Sequence, residues 1–383
     1  MMATGGKCMP KVSVIIPTYN VERYLDEAME SITRQTLHDI EIICINDGST
    51  DGSLDILKKY AADDERVLII DKENGGYGVG MNIGLERASG EYIGILEPDD
   101  YVPLNMFEDL YLAAKEYDLD YVKADFYRFT RNDKNGNMSL EYNHLDKSGE
   151  NYNQVIDPAE KPYISRFIMN TWSGIYRRAF IEEFHIRHNT TPGASFQDNG
   201  FFWQTMIYAK RCMFIDRPYY MNRRDNPNSS VNSKAKVYCM NIEYDHIYDI
   251  FMEPQNRERW ECFKYYFTLK RFHNNAFTLT RIADEFKEEF VERYGREMKR
   301  ALDREEVDME LFTTLEKEKF HLLIEKPQEY YRRFVLPQAG RKPAVSRADR
   351  LEEELHKVKN SHSYKIGRAI TSIPRAVIKT VRR

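Results

Sequence analysis

Along the first third of the chain, short β-branched runs alternate with stretches in which apolar residues return every three or four positions. That alternation predicts βαβ units around a mainly parallel sheet. The run Val12-Ser13-Val14-Ile15-Ile16 predicts a first strand that stops at Pro17, followed by a helix with Leu25, Ala28, Met29 and Ile32 on one face. Ile40 to Asn46 predicts a second strand, closed by Asp47-Gly48-Ser49, with Leu54, Leu57 and Ala61 at helical spacing behind it. Val67 to Ile70 predicts a third, which runs into Asn74-Gly75-Gly76-Tyr77-Gly78-Val79-Gly80 and then a helix to about Ala88. The fourth, Tyr92 to Leu96, ends on Glu97-Pro98-Asp99-Asp100. Ligands of open α/β sheets bind beyond the carboxyl ends of the strands, so the chemistry is expected in these four loops.

The pattern then weakens. Residues 131–162 are polar and predict a long surface loop or an insertion over the site, and Tyr163 to Tyr220 return to mixed structure. From Tyr238 to Phe334 the chain is dense in Glu, Lys, Arg and aromatic residues without strong breakers, which predicts a helical region before a linker at Pro337 to Ala344.

Composition narrows the class. At 383 residues with 42% apolar and 13% aromatic side chains, there is material for a sizeable core. The longest apolar runs are strand-sized, far short of the roughly 20 residues of a membrane-crossing helix. Met1 to Pro10 lack the apolar stretch of a secretory signal, so a cytoplasmic location is expected. Cys8, Cys44, Cys212, Cys239 and Cys262 are scattered, which points to neither a disulfide framework nor a zinc knuckle. The net charge of −5 argues against nucleic acid as a partner.

Glu97-Pro98-Asp99-Asp100 puts three carboxylates in four residues behind a buried strand, where their repulsion calls for a cation. Mg²⁺ or Mn²⁺ fits, because either takes one or two carboxylates together with phosphate oxygens and water. The plainer alternative is turn chemistry, for which Pro-Asp-Asp is equally suited. Ser195-x-x-Asp198, ahead of an apolar run, is close to a capping box, so Asp198 is a helix cap on spacing alone. Trp172 suits either a sugar-stacking platform or the core. His185 and His188 lie three apart without a third metal-type residue and are read as surface histidines. Gly76-x-Gly78-x-Gly80 has the wrong spacing, and the wrong strand before it, for a dinucleotide-binding loop.

In order, Val14-Ile15-Ile16-Pro17-Thr18-Tyr19-Asn20, Asn46-Asp47-Gly48-Ser49-Thr50-Asp51-Gly52 and Gly90-Glu91-Tyr92-Ile93 leading to Glu97-Pro98-Asp99-Asp100 resemble the family 2 glycosyltransferases, whose catalytic domain has the GT-A fold. The resemblance implies an α/β domain with a mainly parallel sheet flanked by helices, here followed by a C-terminal helical region. It divides the chain into an N-terminal tail (1–10), a nucleotide-sugar-binding half (11–130), an acceptor-side half (131–235), the helical region (236–336) and a linker with a basic tail (337–383). It implies that Pro17, Thr18 and Tyr19 line the nucleotide pocket, that Asp47 bonds the base, and that Asn74 and Asn82 shape the far wall. Glu97 and Asp99 fall on the family's D-x-D positions: Glu97 near the ribose, Asp99 on the metal, with Asp100 beside it as a second ligand. Glu97 stands where Asp is more frequent, and Met81 where many members place Arg.

The resemblance also implies that Asp198, in a Gln197-Asp198 pair, is the general base of an inverting transfer, with Gln197 and Trp172 on the acceptor side. Tyr220-Met221-Asn222-Arg223-Arg224 looks like the family's diphosphate-closing segment, so Arg223 and Arg224 are expected on the diphosphate. The donor expected is a nucleoside-diphosphate sugar, UDP-linked by default, and the acceptor a glycan or lipid-linked glycan of cell-surface polysaccharide synthesis. The alternative is a non-catalytic nucleotide-binding scaffold of a glycan assembly complex. From Lys357 to Arg383 every charged residue is basic and apolar residues are interleaved, which suits peripheral contact with the inner face of an anionic membrane. A disordered tail or a homo-oligomer contact is the plainer alternative there.

Overall fold

In a computed structural model, residues 9–131, 137–194, 196–228, 234 and 236–336 are described. The β-branched runs form the strands expected of them. β1 (Val12–Thr18), β2 (Ile40–Asp47), β3 (Val67–Lys72) and β4 (Tyr92–Ile95) pair in the order β3-β2-β1-β4, all parallel. Val14 lies opposite Ile42 on one side and Gly94 on the other. Nearly every residue of β1, β2 and β4 is buried, as strands covered on both faces require. Three helices connect them: α1 (Glu22–Thr33), α2 (Ser53–Asp63) and α3 (Tyr77–Arg87). The buried residues of α1 are Leu25, Ala28, Met29 and Ile32, the stripe read from the sequence.

Beyond α4 (Met106–Glu116) the sheet changes character. β5 (Tyr121–Arg131) pairs antiparallel with β6 (Met138–Asn143) and β7 (Gly174–Arg177), and β7 in turn pairs antiparallel with β4. After α5 (Arg178–Glu183) and α6 (Gln197–Tyr208), β8 (Cys212–Arg223) runs parallel to β5. The parallel half and the mixed half therefore share one eight-stranded sheet.

The 131–162 stretch is more ordered than its composition predicts. It contains β6, and Tyr152 and Ile156 make bridges to Phe214 and Cys212. Its anchor is Asp125, fully buried, which accepts from Tyr152 Oη (2.6 Å), Leu145 N (2.8 Å) and His144 Nδ1 (3.0 Å). A polar anchor of this kind leaves no apolar period in the sequence.

α7 (Cys239–Met252), α8 (Arg257–Leu279), α9 (Asp284–Asp303) and α10 (Thr314–Glu325) make the C-terminal helical region. No described helix is long and apolar enough to cross a membrane. The four described cysteines are free thiols. Met1–Tyr331 form one compact unit; of the second, Arg332–Arg383, only 332–336 are described, so the basic tail lies outside the described residues.

Candidate active site

The loops that follow β1 to β4 are tied to one another by side chains rather than by packing. Asn20, in the left-handed region at φ 50°, accepts from Thr50 N at 2.8 Å, and its own amide donates to Ser49 Oγ at 3.1 Å. Asp47 accepts from Gly75 N (2.8 Å) and Gly76 N (2.9 Å) and pairs with Lys72 Nζ. Asn74 Nδ2 donates back to the Asp47 carbonyl at 2.9 Å. Asp47 and Asn74, expected on the nucleotide, are thus already the struts of their own loop. Pro17 is half-buried and Thr18 buried, its hydroxyl on the Ile16 carbonyl at 3.3 Å, while Tyr19 is 49% exposed over the cradle.

The acidic loop closes the cradle. Tyr77 Oη donates to Glu97 Oε1 at 2.8 Å, and Glu97 N donates to Tyr220 Oη at 3.0 Å. Asp99 Oδ2 accepts from Asn226 Nδ2 at 2.8 Å, leaving Oδ1 without a partner among the described residues. Asp100 differs from the expectation that it shares a metal with Asp99. It is buried, and Arg223 N (2.6 Å) and Asn222 Nδ2 (3.0 Å) occupy its two oxygens, so it fastens the loop to β8. Burial pushes the Glu97 carboxyl up to about 8, against the Tyr77 hydrogen bond, with the charges of Asp99 and Asp198 adding to the shift.

Arg223 is also not where a flexible phosphate clamp would put it. Its side chain is 4% exposed, lies 4.6 Å from the ring centres of both Tyr24 and Phe129, and pairs with Glu27 and Asp225. Its Nε donates to the Asp99 carbonyl at 2.7 Å. Arg224, next in the chain, is exposed, and no hydrogen bond or ion pair holds its guanidinium among the described residues.

On the acceptor side, α6 starts at Gln197 with Phe196 as its N-cap at φ 67°, so Asp198 sits in the first turn; Ser195, the other half of the expected capping box, lies outside the described residues. Asp198 Oδ1 accepts from Asn199 N (3.1 Å) and Asn199 Nδ2 (3.0 Å); Oδ2 has no described partner. Burial raises its carboxyl above the ordinary range, opposed by the Asn199 hydrogen bonds and the charge of Lys123. Gln197, expected on the acceptor side, is buried, with Nε2 3.0 Å from both the Thr191 and Gly193 carbonyls. Trp172 is half-buried, with one face stacked on Tyr220 at 4.2 Å and its edge toward Phe126.

Asn82, expected on the far wall, instead bonds the His188 backbone twice: Nδ2 to the carbonyl (2.9 Å) and Oδ1 from the amide (2.8 Å). His188 itself is buried, contrary to its surface assignment; it stacks on Phe201 at 4.7 Å, and burial lowers it to about 3, so it is neutral. His185 is exposed as expected. The glycines of α3 explain themselves here. A Cβ on Gly78 would lie 1.9 Å from the Asn189 carbonyl oxygen, and one on Gly76, at φ 88°, 2.7 Å from Gly193 N. Gly76-x-Gly78 is therefore a seam against which the loop carrying Asp198 docks.

The sequence model described as Glycosyl transferase family 2 matches residues 13–184. Glycosyltransferase GlyG of Streptococcus pneumoniae serotype 4 is 33% identical over 219 residues, covering 56% of this chain and 70% of that protein. The chain belongs to glycosyl transferase family 2. Another family relative, the uncharacterized glycosyltransferase EpsJ of Bacillus subtilis, is 36% identical over 223 residues; the match covers 58% of this chain but only 63% of EpsJ, less than two thirds of its length. The crystal structure of S. aureus TarS 1–349 in complex with UDP-GlcNAc shares the fold, at a TM-score of 0.63 and 21% identity over 84% of this chain and 89% of that one.

In this family 2 chain, no three described His, Cys, Asp or Glu side chains converge into a ready-made metal centre. A Mg²⁺ or Mn²⁺ that brings its own phosphate and water ligands needs fewer. The Oδ1 of Asp99, without a described partner, and Glu97, whose shift the Asp99 charge increases, fit such an ion. Tyr77, Tyr220, Asn226 and Glu243 are the site's neighbours that the sequence did not single out. Asn226 alone carried a signal, three residues beyond Arg223 in a segment already under suspicion.

Proposed function

We propose that the chain is an inverting glycosyltransferase that moves a sugar from a nucleoside-diphosphate sugar, UDP-linked by default, to a hydroxyl of a glycan or lipid-linked glycan in cell-surface polysaccharide synthesis. The carrying observation is the convergence of three carboxylates from two separately built parts of the chain. Glu97 and Asp99 close the parallel half of the sheet, Asp198 opens α6, and their charges interact. Asp99 and Glu97 would hold Mn²⁺ or Mg²⁺; when bound, the ion neutralises charge on the leaving diphosphate. Tyr19 would cover the base and Arg224 meet the diphosphate, while Arg223 and Asp100 hold the acidic loop in place. Asp198 Oδ2 would take the proton from the acceptor hydroxyl as the anomeric bond forms. Its raised carboxyl suits a base, because a more basic carboxylate accepts a proton more readily.

The test is Asp198→Asn. UDP-sugar binding, read as a rise in melting temperature, should persist, while transfer falls by roughly 10²–10⁴-fold. A folded variant that transfers at the wild-type rate would remove Asp198 from the chemistry. Wild-type activity should fall with acidification at a pH above the ordinary aspartate range, since protonation of Asp198 disables the base.

A further inference from the structure

Beside the carboxylates stands a group of cations of which the proposed transfer reaction uses only Arg224. Phe196, two residues before Asp198, has the Arg281 guanidinium 5.8 Å from its ring centre and Lys236 Nζ at the same distance. Arg281 follows α8, its Nη1 is buried without a hydrogen-bond partner, and its plane lies 4.9 Å from Phe277. Arg128, on β5, likewise has a buried Nε without a partner. Arg224 connects the two. Its amide bonds the Phe129 carbonyl at 2.8 Å, and the register of Arg128 opposite Asn222 puts Arg128 and Arg224 on one face of the sheet. The charge of Arg224 is felt by both Arg128 and Arg281. None of the three arginines has an ion pair with a described residue.

Glu141, opposite Arg128 across β5 and β6, offsets part of its charge, but no described carboxylate pairs with Arg224 or Arg281, and like charges gathered with so little counter-charge destabilise a fold unless a ligand supplies the anion. The donor does not account for all of them. A divalent ion already offsets the charge of the donor diphosphate, and a single guanidinium, Arg224, meets the charge that its departure adds. Arg128 and Arg281 remain, and Arg281 lies against Phe196, two residues before the proposed base. We propose that Arg128 and Arg281, bordering the donor's Arg224, form an oxyanion subsite that holds a phosphate or carboxylate group of the acceptor, so that the acceptor is an anionic glycan or a phosphate-linked one. This rests on the donor and base assignments above. Guanidinium forks suit either group, because both present paired oxygens.

The experiment uses the full chain with inorganic phosphate as the probe. Phosphate is titrated at constant ionic strength against protein alone and protein saturated with UDP and Mg²⁺, and melting temperature is followed. Phosphate should stabilise the UDP-saturated protein, and Arg281→Gln and Arg128→Gln should each weaken that binding about tenfold or more, with Arg281→Lys retaining part of it. The variants should melt no lower than wild type without phosphate, since each removes an uncompensated charge. Phosphate that binds only when UDP is absent would assign the anion to the donor and overturn the acceptor subsite. Undiminished phosphate binding in the UDP-saturated Arg128→Gln/Arg281→Gln protein would overturn it as well. If UDP does not bind, the donor assignment fails by itself, and loss of phosphate binding in the variants still supports the patch.

Discussion

Glu243 shows what a single buried carboxyl does beneath this site. It lies on α7, accepts from Asn189 Nδ2 at 3.1 Å, and is pushed by burial to about 8, with the charge of Asp198 adding to the shift. In the unfolded chain it titrates near 4.5. The folded protein therefore holds this proton longer, and stability falls as pH rises from about 4.5 to about 8. Glu243→Gln keeps the carbonyl that Asn189 needs but cannot ionise. Denaturant midpoints at pH 5 and pH 8 should show the variant gaining on wild type as pH rises, and a constant difference would show that the group ionises normally. Arg223 works by the opposite principle, a buried charge fully paired. Arg223→Ala leaves Glu27 and Asp225 to Arg131 alone and opens the space between Tyr24 and Phe129, which should cost about 3 kcal/mol in urea unfolding. Arg224→Ala should leave the urea midpoint unmoved while transfer falls. The adjacent arginines were indistinguishable in the sequence, since the partner that separates them, Glu27, lies 196 positions away.

Among the elements, α3 carries the most contacts invisible in its own sequence. The four parallel strands were legible because strands buried on both faces must be apolar throughout, and α1 because a helix on a sheet has a stripe. The Gly76-x-Gly78 seam was not, because its reason is a backbone more than a hundred positions away. The same blindness put Asn82 on the nucleotide and His188 on the surface, when the first clamps the backbone of the second. Gly78→Ala should force α3 from the loop of residues 188–193, lowering stability by about 3 kcal/mol and reducing transfer beyond what unfolding explains. Gly149→Ala is the control for glycine replacement: φ is 76° there, but no atom lies within 4 Å of the added carbon. If Gly78→Ala melted and turned over like wild type, the seam would have no role in placing Asp198.

For the whole molecule, the order of the chain separates two tasks. On the proposed assignments, residues 11–130 build the donor cradle, and the later strands and helices bring the base and its supports. We propose a third task for the basic residues from Lys357 to Arg383, attraction to an anionic surface. Removing 357–383 should abolish sedimentation with vesicles rich in phosphatidylserine at low salt while leaving UDP-sugar turnover in solution intact. Unchanged sedimentation would dismiss the membrane role. The helical region, by contrast, is joined to the residues on either side of Asp198: Asn274 Nδ2 donates to Asn199 Oδ1 at 3.2 Å, Glu243 accepts from Asn189, and Lys236 donates to the Ala194 carbonyl. The consequence is evolutionary. Substitutions on α7 and α8 can reshape what is presented to the base while the cradle at β1 to β4 stays intact, so a lineage can change its product without relearning its donor. Chimeras that exchange 236–336 between relatives should accordingly keep one partner's nucleotide preference and acquire the other's choice of acceptor.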